Sequence, residues 1–183
     1  MKLETIKWKE LTEDEKIASL KRPVIESIEE QESVITEIFN EVKSNGDQAI
    51  KRYTKMYDGV EIDNLLMSDK EITSAFDRVP NALIQSIENA IENVKTFHEK
   101  NFQSDTNKVE VRTGVNCQII KRPIENVGLY IPAGNNPLPS TAIMLGVPSP
   151  LAMNKESIVV SPPHDSGVVH DSIVVAAKLS GIG

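Results

Sequence analysis

The feature that most constrains this chain is an alternation of strand-like and helix-like segments that begins near Asn126. Apolar segments separated by loops rich in glycine and proline cover residues 127–131, 140–146, 157–161 and 169–179. This order is typical of parallel strands joined by right-handed crossovers. The run Ile158-Val159-Val160 is apolar throughout, which predicts that helices cover both faces of the second strand. Two strands are too few for a stable parallel sheet, so the sequence predicts an incomplete open α/β sheet.

The first 107 residues have the periodicity of helices. From Val24 to Val42, apolar residues recur at spacings of three, four and seven, which predicts one helix with a buried stripe. A second long helix is predicted from Asn81 to about Lys100, directly after Pro80. Ser68 and Glu71 have the spacing of a capping box at the start of a further helix.

A hairpin is predicted between the helices and the parallel strands. Valine and isoleucine alternate with polar residues on both sides of Thr113-Gly114, as in two antiparallel strands. Cys117 falls within this alternation, and no histidine lies near it in sequence. We expect it to be a small buried side chain rather than a nucleophile. A single cysteine also excludes an internal disulfide and every multi-cysteine metal motif.

Charge and hydropathy narrow the range of partners. Twenty Lys and Arg against 27 Asp and Glu give a net charge of −7, which opposes binding to nucleic acid or to an anionic membrane. The sequence shows no apolar run near the roughly 20 residues that span a bilayer and no signal peptide. The cytoplasm is the expected compartment.

The loop over residues 132–137 follows the first parallel strand, at the end of the strand where open α/β sheets bind their ligands. It lacks both the GxGxxG fingerprint and the GxxxxGK[ST] pattern, so neither standard phosphate-binding motif is present. The loop is either a ligand-binding segment or a linker in which Gly134 supplies a positive φ.

The segment RPIENVGLYIPAGNNPLPSTAIMLGVP at residues 122–148, continued by KESIVVSPP at residues 155–163, resembles histidinol dehydrogenase. The resemblance implies an enzyme that oxidises a small-molecule substrate, histidinol, to histidine with NAD. Members of that family are zinc-dependent homodimers built on Rossmann-like domains. Its members are more than twice as long as this chain. Their zinc ligands and their Glu-His acid/base pair have no counterpart here, so the resemblance implies no catalytic residue and no metal ligand within these residues.

The resemblance places cofactor-binding residues at Tyr130, Pro132 and Gly134. Tyr130 matches the tyrosine that contacts NAD, and the other two match the adjoining loop. The other interpretation of Tyr130 is an aromatic residue at a strand end with its ring in the core. Ala133 stands where the family has glycine, which would be costly if φ there were positive. Met153-Asn154 replaces Gly-Val, and we expect Asn154 to adopt the left-handed conformation.

The three histidines also permit more than one interpretation. His164-Asp165 and His170-Asp171 contain ordinary zinc ligands, but their position at the start of a helix favours a capping role for Asp165, Ser166 or Asp171. His98, near the end of the long helix, is expected to be structural, because a cation there complements the helix dipole.

We therefore expect an α/β chain with a helical N-terminal arm at residues 1–107, a β-hairpin linker at 108–125 and a partial Rossmann-like NAD-side domain at 126–183. The leading hypothesis is the N-terminal part of a histidinol dehydrogenase that binds NAD weakly at most, is inactive alone and self-associates. The alternative is a stand-alone, non-catalytic binding or dimerisation module. A reading frame that continues past residue 183 would favour the first hypothesis.

Overall fold

The computed structural model describes residues 5–21, 28–101, 108–133, 136–164 and 166–182. The chain divides into two compact units, residues 1–46 and residues 47–183. None of the helices in the described residues is long and apolar enough to cross a membrane.

The first unit contains helix α1 (Glu13–Leu20) and helix α2 (Ile28–Asn45). The long helix predicted between Val24 and Val42 is confirmed over its described part, but the predicted burial of its apolar stripe is wrong. Ile35 and Phe39 are 64% and 71% exposed. Periodicity shows which residues share a helix face, but not whether another element packs on that face. No described residue of this unit covers these two side chains. Val24 lies outside the described residues.

The second unit contains the remaining elements in an order that confirms the predicted incomplete α/β class. These are α3 (Asp47–Tyr57), α4 (Asp69–Arg78), α5 (Asn81–Asn101), β1 (Lys108–Arg112), β2 (Val115–Gln118), β3 (Asn126–Tyr130), α6 (Pro139–Gly146), α7 (Pro148–Leu151), β4 (Glu156–Val160) and α8 (Asp171–Leu179). The short helix α7 was not predicted. Its sequence Pro-Ser-Pro-Leu is too short for helical periodicity to appear.

Helix α4 begins with the predicted capping box. The backbone N–H of Ser68 donates to Oε2 of Glu71 over 2.7 Å, and the backbone N–H of Glu71 donates to Oγ of Ser68 over 3.3 Å. These bonds satisfy N–H groups that have no partner within the helix. The hydrogen bonds with Ser68 also lower the pKa of Glu71 below its ordinary value.

The core of the second unit is centred on α8, which packs against α4, α5 and α6. Ile173, Val175 and Ala176 of this helix are fully buried. They are joined by Ile131, the residue directly after β3, which is also fully buried. The start of the loop after the first parallel strand is therefore anchored in the core.

The strands form two separate pairs. β1 and β2 are antiparallel, which confirms the predicted hairpin. The predicted burial of Cys117 is wrong, because this residue is exposed. Alternation indicates which hairpin side chains share a face, but no other described element packs closely on that face: Val109 and Val111 are exposed as well.

β3 and β4 are parallel, in register from Asn126 opposite Glu156 to Tyr130 opposite Val160. The prediction that both faces of β4 are covered is wrong. Val159 packs against the core cluster, whereas Ile158 is 57% and Val160 52% exposed. Within the described residues, the helical core covers one face only.

Candidate cofactor-binding site

The candidate site lies at the carboxyl ends of β3 and β4. Because the strands are parallel, their ends meet at one edge of the sheet, the usual ligand position in open α/β sheets. The backbone N–H of Ile131 donates to the carbonyl oxygen of Val160 over 2.8 Å. This bond extends the pairing one residue beyond β3 and fixes the point at which the loop leaves the sheet.

Tyr130 presents its side chain away from the core at this edge. It is 60% exposed, whereas Ile131 is fully buried and Pro132 is half-buried. Successive residues of a strand point to opposite faces, so burial of Ile131 leaves Tyr130 on the other face. The interpretation of Tyr130 as a core aromatic is therefore wrong. A role for Tyr130 and Pro132 in binding a cofactor stays a prediction.

The structure shows the backbone conformation at Ala133 and Asn154, where the sequence analysis raised the question of a positive φ. Gly134 lies outside the described residues. Ala133 is half-buried and packs against the core cluster. Among the described non-glycine residues, Met153 is the one with positive φ, at 62°. Ala133 therefore adopts its conformation without left-handed strain. The left-handed residue after α7 is Met153 rather than the expected Asn154, because the helix ends one residue earlier, with Ala152 as its C-cap.

Helix α6 follows the loop and begins with an open first turn. Pro139 occupies its first position, and Leu138 before it makes no side-chain hydrogen bond to the helix. The backbone N–H of Thr141 donates to the carbonyl oxygen of Leu138 over 3.0 Å, and Ser140 is exposed. A helix start without a side-chain acceptor is compatible with an anionic group, because N–H groups and the helix dipole both favour negative charge there.

Ser161 follows β4 directly and was not predicted as a site residue. Its Oγ atom is buried and has no hydrogen-bond partner among the described residues. Leaving a buried hydroxyl without a partner costs free energy, so this atom is an unsatisfied polar group beside the carboxyl edge of the sheet. The one sequence signal was its position at the carboxyl end of the second parallel strand.

The histidines do not form a metal centre within the described residues, where no three His, Cys, Asp or Glu side chains are close enough to hold an ion. His170 caps α8, since its Nδ1 atom accepts from the backbone N–H of Ser172 over 3.2 Å. The expected capping role thus falls on His170 itself, while Asp171 adds negative charge in the first turn. Asp165 lies outside the described residues. His98 lies in the last turn of α5, where its ring contacts Phe97 edge-on.

Comparisons with known proteins agree on one family. The family model for histidinol dehydrogenase matches residues 21–183. The chain is 37% identical over 180 residues to the histidinol dehydrogenase of Xanthomonas campestris pv. campestris, covering 98% of this chain and 42% of the relative. It is 38% identical over 180 residues to that of Mannheimia succiniciproducens, covering 98% of this chain and 41% of the relative.

A solved structure gives the same result. The crystal structure of histidinol dehydrogenase from Elizabethkingia anophelis superimposes with a TM-score of 0.84 and is 38% identical, covering 94% of this chain and 39% of that chain. The chain thus spans about two fifths of the length of these proteins and corresponds to their N-terminal part. The family match extends over most of the sequence, and this chain belongs to the histidinol dehydrogenase family of oxidoreductases in histidine biosynthesis.

Proposed function

We propose that the chain contributes the cofactor-side region of an NAD-dependent histidinol dehydrogenase. The observation that carries this proposal is the exposed Tyr130 side chain at the carboxyl end of β3, beside a loop that leads into the uncapped start of α6. NAD, when bound, accepts hydride during oxidation of histidinol. The residues of this chain would bind and orient the cofactor.

The described residues fit a dinucleotide in two respects. The Tyr130 ring is free to stack on a planar group. The first turn of α6 can accept a negatively charged phosphate. Pro132 and Gly134 would shape the loop between these groups.

Zinc does not fit the described residues. No three potential ligands are close enough together in the described part of the chain, and the Nδ1 atom of His170 already accepts a backbone hydrogen bond. We expect the 183-residue chain alone to produce no NADH from histidinol and NAD, because binding without a positioned base and Lewis acid accelerates little.

The NAD site is tested by NMR titration of the ¹⁵N-labelled chain. The open edge covers only part of the cofactor, so we expect a dissociation constant in the millimolar range or weaker, about −4 kcal/mol. The shifted amides should lie at residues 128–141. Shifts concentrated at residues 164–171 would instead place the site elsewhere and contradict the proposal.

Two tyrosine variants provide the matched comparison, because Tyr130 and Tyr57 are both 60% exposed. Tyr130→Ala should reduce the shifts produced by NAD, while Tyr57→Ala should leave them unchanged. Equal losses in the two variants would mean that NAD contacts exposed aromatic rings without selectivity. Detectable NADH production together with stoichiometric zinc would contradict the expectation that the chain alone is inactive.

A further inference from the structure

A cavity of about 680 Å³ lies between α4 and the segment that joins β4 to α8. Neither Tyr130 nor Pro132 lines it. Both walls belong to the second unit, in which α4 packs directly on α8. Donor-bearing side chains from the two walls are Lys70, Ser74, Arg78, His164, Ser166 and His170.

The α4 wall is a regular row of hydrogen-bond donors. Lys70, Ser74 and Arg78 are spaced four residues apart, so they lie on the same helix face. Ala75 and Phe76 of the same helix contact the core. Packing of these apolar residues therefore determines which face of α4 is turned to the cavity.

The opposite wall is held in place by backbone hydrogen bonds. The N–H of His164 donates to the carbonyl oxygen of Val168 over 2.8 Å, and the N–H of Gly167 donates to the carbonyl oxygen of His164 over 2.8 Å. Gly167 has a φ of 80°, a left-handed conformation that glycine adopts without strain. The backbone at His164 is therefore set by the fold before any ligand binds.

The capping of α8 by His170 determines which hydrogen bonds the His170 ring can form with a ligand. A backbone N–H can only donate, so the Nδ1 atom that accepts from Ser172 carries a lone pair, and the proton of the neutral ring is on Nε2. The His164 ring lies 5.7 Å away, centroid to centroid. A metal ion held by both imidazoles would need a lone pair on Nε2 of His170. This arrangement favours a ligand that accepts hydrogen bonds over a metal ion.

The carboxylates that line the cavity already accept hydrogen bonds. Both oxygens of Asp171 accept from Arg78, and Oε2 of Glu71 accepts from Ser68. Lys70 forms no ion pair with any described residue. Among the described lining residues, the donors Lys70, Ser74, His164 and Ser166 therefore outnumber the carboxylate oxygens that accept no hydrogen bond, as expected for an anion site.

The apolar part of the lining indicates the size of the ligand. Met67, Val168 and Val169 also face the cavity. The volume of the cavity is far larger than the volume of an inorganic phosphate ion. Donors come from two walls, which suits the three oxygens of a phosphate better than the two of a carboxylate. We infer that this cavity binds a small phosphate monoester, with the phosphate at Lys70, Arg78 and His164 and the organic group against Met67, Val168 and Val169.

The inference is tested by NMR titration of the 183-residue chain with phenyl phosphate, inorganic phosphate, benzoate and benzyl alcohol. Phenyl phosphate should give saturable shifts at residues 67–78 and 164–171 and bind several-fold more tightly than inorganic phosphate. Benzyl alcohol should give none. Benzoate that binds as tightly as phenyl phosphate would overturn the phosphate assignment, and shifts that do not saturate or that lie elsewhere would overturn the site.

Lys70→Ala should weaken phenyl phosphate binding about tenfold, because a charge-assisted hydrogen bond is lost. Lys178→Ala is the matched control: it removes an exposed lysine of α8 that does not line the cavity, and binding should be unchanged. Thermal unfolding of both variants establishes that they are folded, and His164→Ala provides a second test from the opposite wall. Equal losses in the two lysine variants would indicate attraction by net charge and overturn the inference.

Discussion

Arg78 and Asp171 join two helices across 93 residues of sequence. Nε of Arg78 donates to Oδ2 of Asp171 over 2.8 Å, and Nη2 donates to Oδ1 over 2.6 Å. Asp171 is also in the first turn of α8, where negative charge complements the helix dipole. The hydrogen bonds from Arg78 lower the pKa of the Asp171 carboxyl below its ordinary value. This pair holds the C-terminus of α4 beside the N-terminus of α8.

We predict that Asp171→Asn lowers the free energy of unfolding by about 1 kcal/mol at pH 7. The loss is modest because the Arg78 side chain is about half exposed and solvent weakens the ion pair. The pKa of Asp171 is lowered in the folded state, so its contribution is present above the unfolded value of about 3.9 and is lost as the pH falls through the folded pKa. Denaturant unfolding of both proteins between pH 7 and pH 3 measures this difference. It should shrink in the acid range.

Glu88→Gln is the control for this experiment, because Glu88 is an exposed residue of α5. Its effect on the free energy of unfolding should be small and should not follow the acid titration of Asp171. A difference between wild type and Asp171→Asn that stays constant down to pH 3 would mean that the ionised carboxylate does not contribute.

A second prediction concerns the helix caps. Ser68→Ala should destabilise the second unit by about 1 kcal/mol, because the capping box begins α4 and α4 packs on α8. Thr12 forms an equivalent capping box with Glu15 at the start of α1, a helix with no buried residue. Thr12→Ala should reduce helicity locally and leave the main unfolding transition unchanged. A large shift of that transition in Thr12→Ala would contradict this distinction.

A third prediction concerns the close approach of α6 to the end of α8. A Cβ atom added at Gly146 would lie 2.7 Å from Cβ of Ser180, so Gly146→Ala should cost about 1–3 kcal/mol in the free energy of unfolding. Ser180→Ala retains that Cβ and removes a buried hydroxyl with no hydrogen-bond partner in the described residues. It should be neutral or stabilising. Denaturant unfolding of both variants measures the contrast, and strong destabilisation by Ser180→Ala would refute it.

The sequence predicted the local elements well because their signals are local. Each of these signals involves the residues of one helix or one hairpin. They are the periodicity of α5, the alternation on both sides of Thr113-Gly114 and the spacing of Ser68 and Glu71. Element ends were less accurate where capping decided them. Helix α8, for example, begins at Asp171 rather than residue 169, because the ring of His170 caps it.

Relationships between distant residues could not be predicted in this way. Hydrophobic patterning showed that Ile158 and Val160 share one face of β4, but not that the face is open. Nothing local to residue 78 identifies Asp171 as its partner. The same limit applies to Ser161, whose significance depends on the parallel pairing of β3 with β4 and on the burial of its hydroxyl.

The open face of the parallel strands leads to the last prediction, self-association. Tyr130, Ile158 and Val160 are all more than half exposed on this face, and contiguous apolar surface of this kind favours contact with another molecule. We expect the weight-average mass to rise with protein concentration in light scattering after size exclusion. The double variant Ile158→Thr, Val160→Thr keeps the β-branched shape of both side chains, adds a hydroxyl to each and should reduce association.

The hairpin provides the matched control, since Val109 and Val111 are exposed to a similar extent, 55% and 59%. If association occurs through the β3–β4 face, Val109→Thr with Val111→Thr should associate as the wild type does. Equal reductions in the two double variants would mean that any exposed apolar strand contributes. A wild-type chain that stays monomeric over the whole dilution series would contradict the predicted self-association.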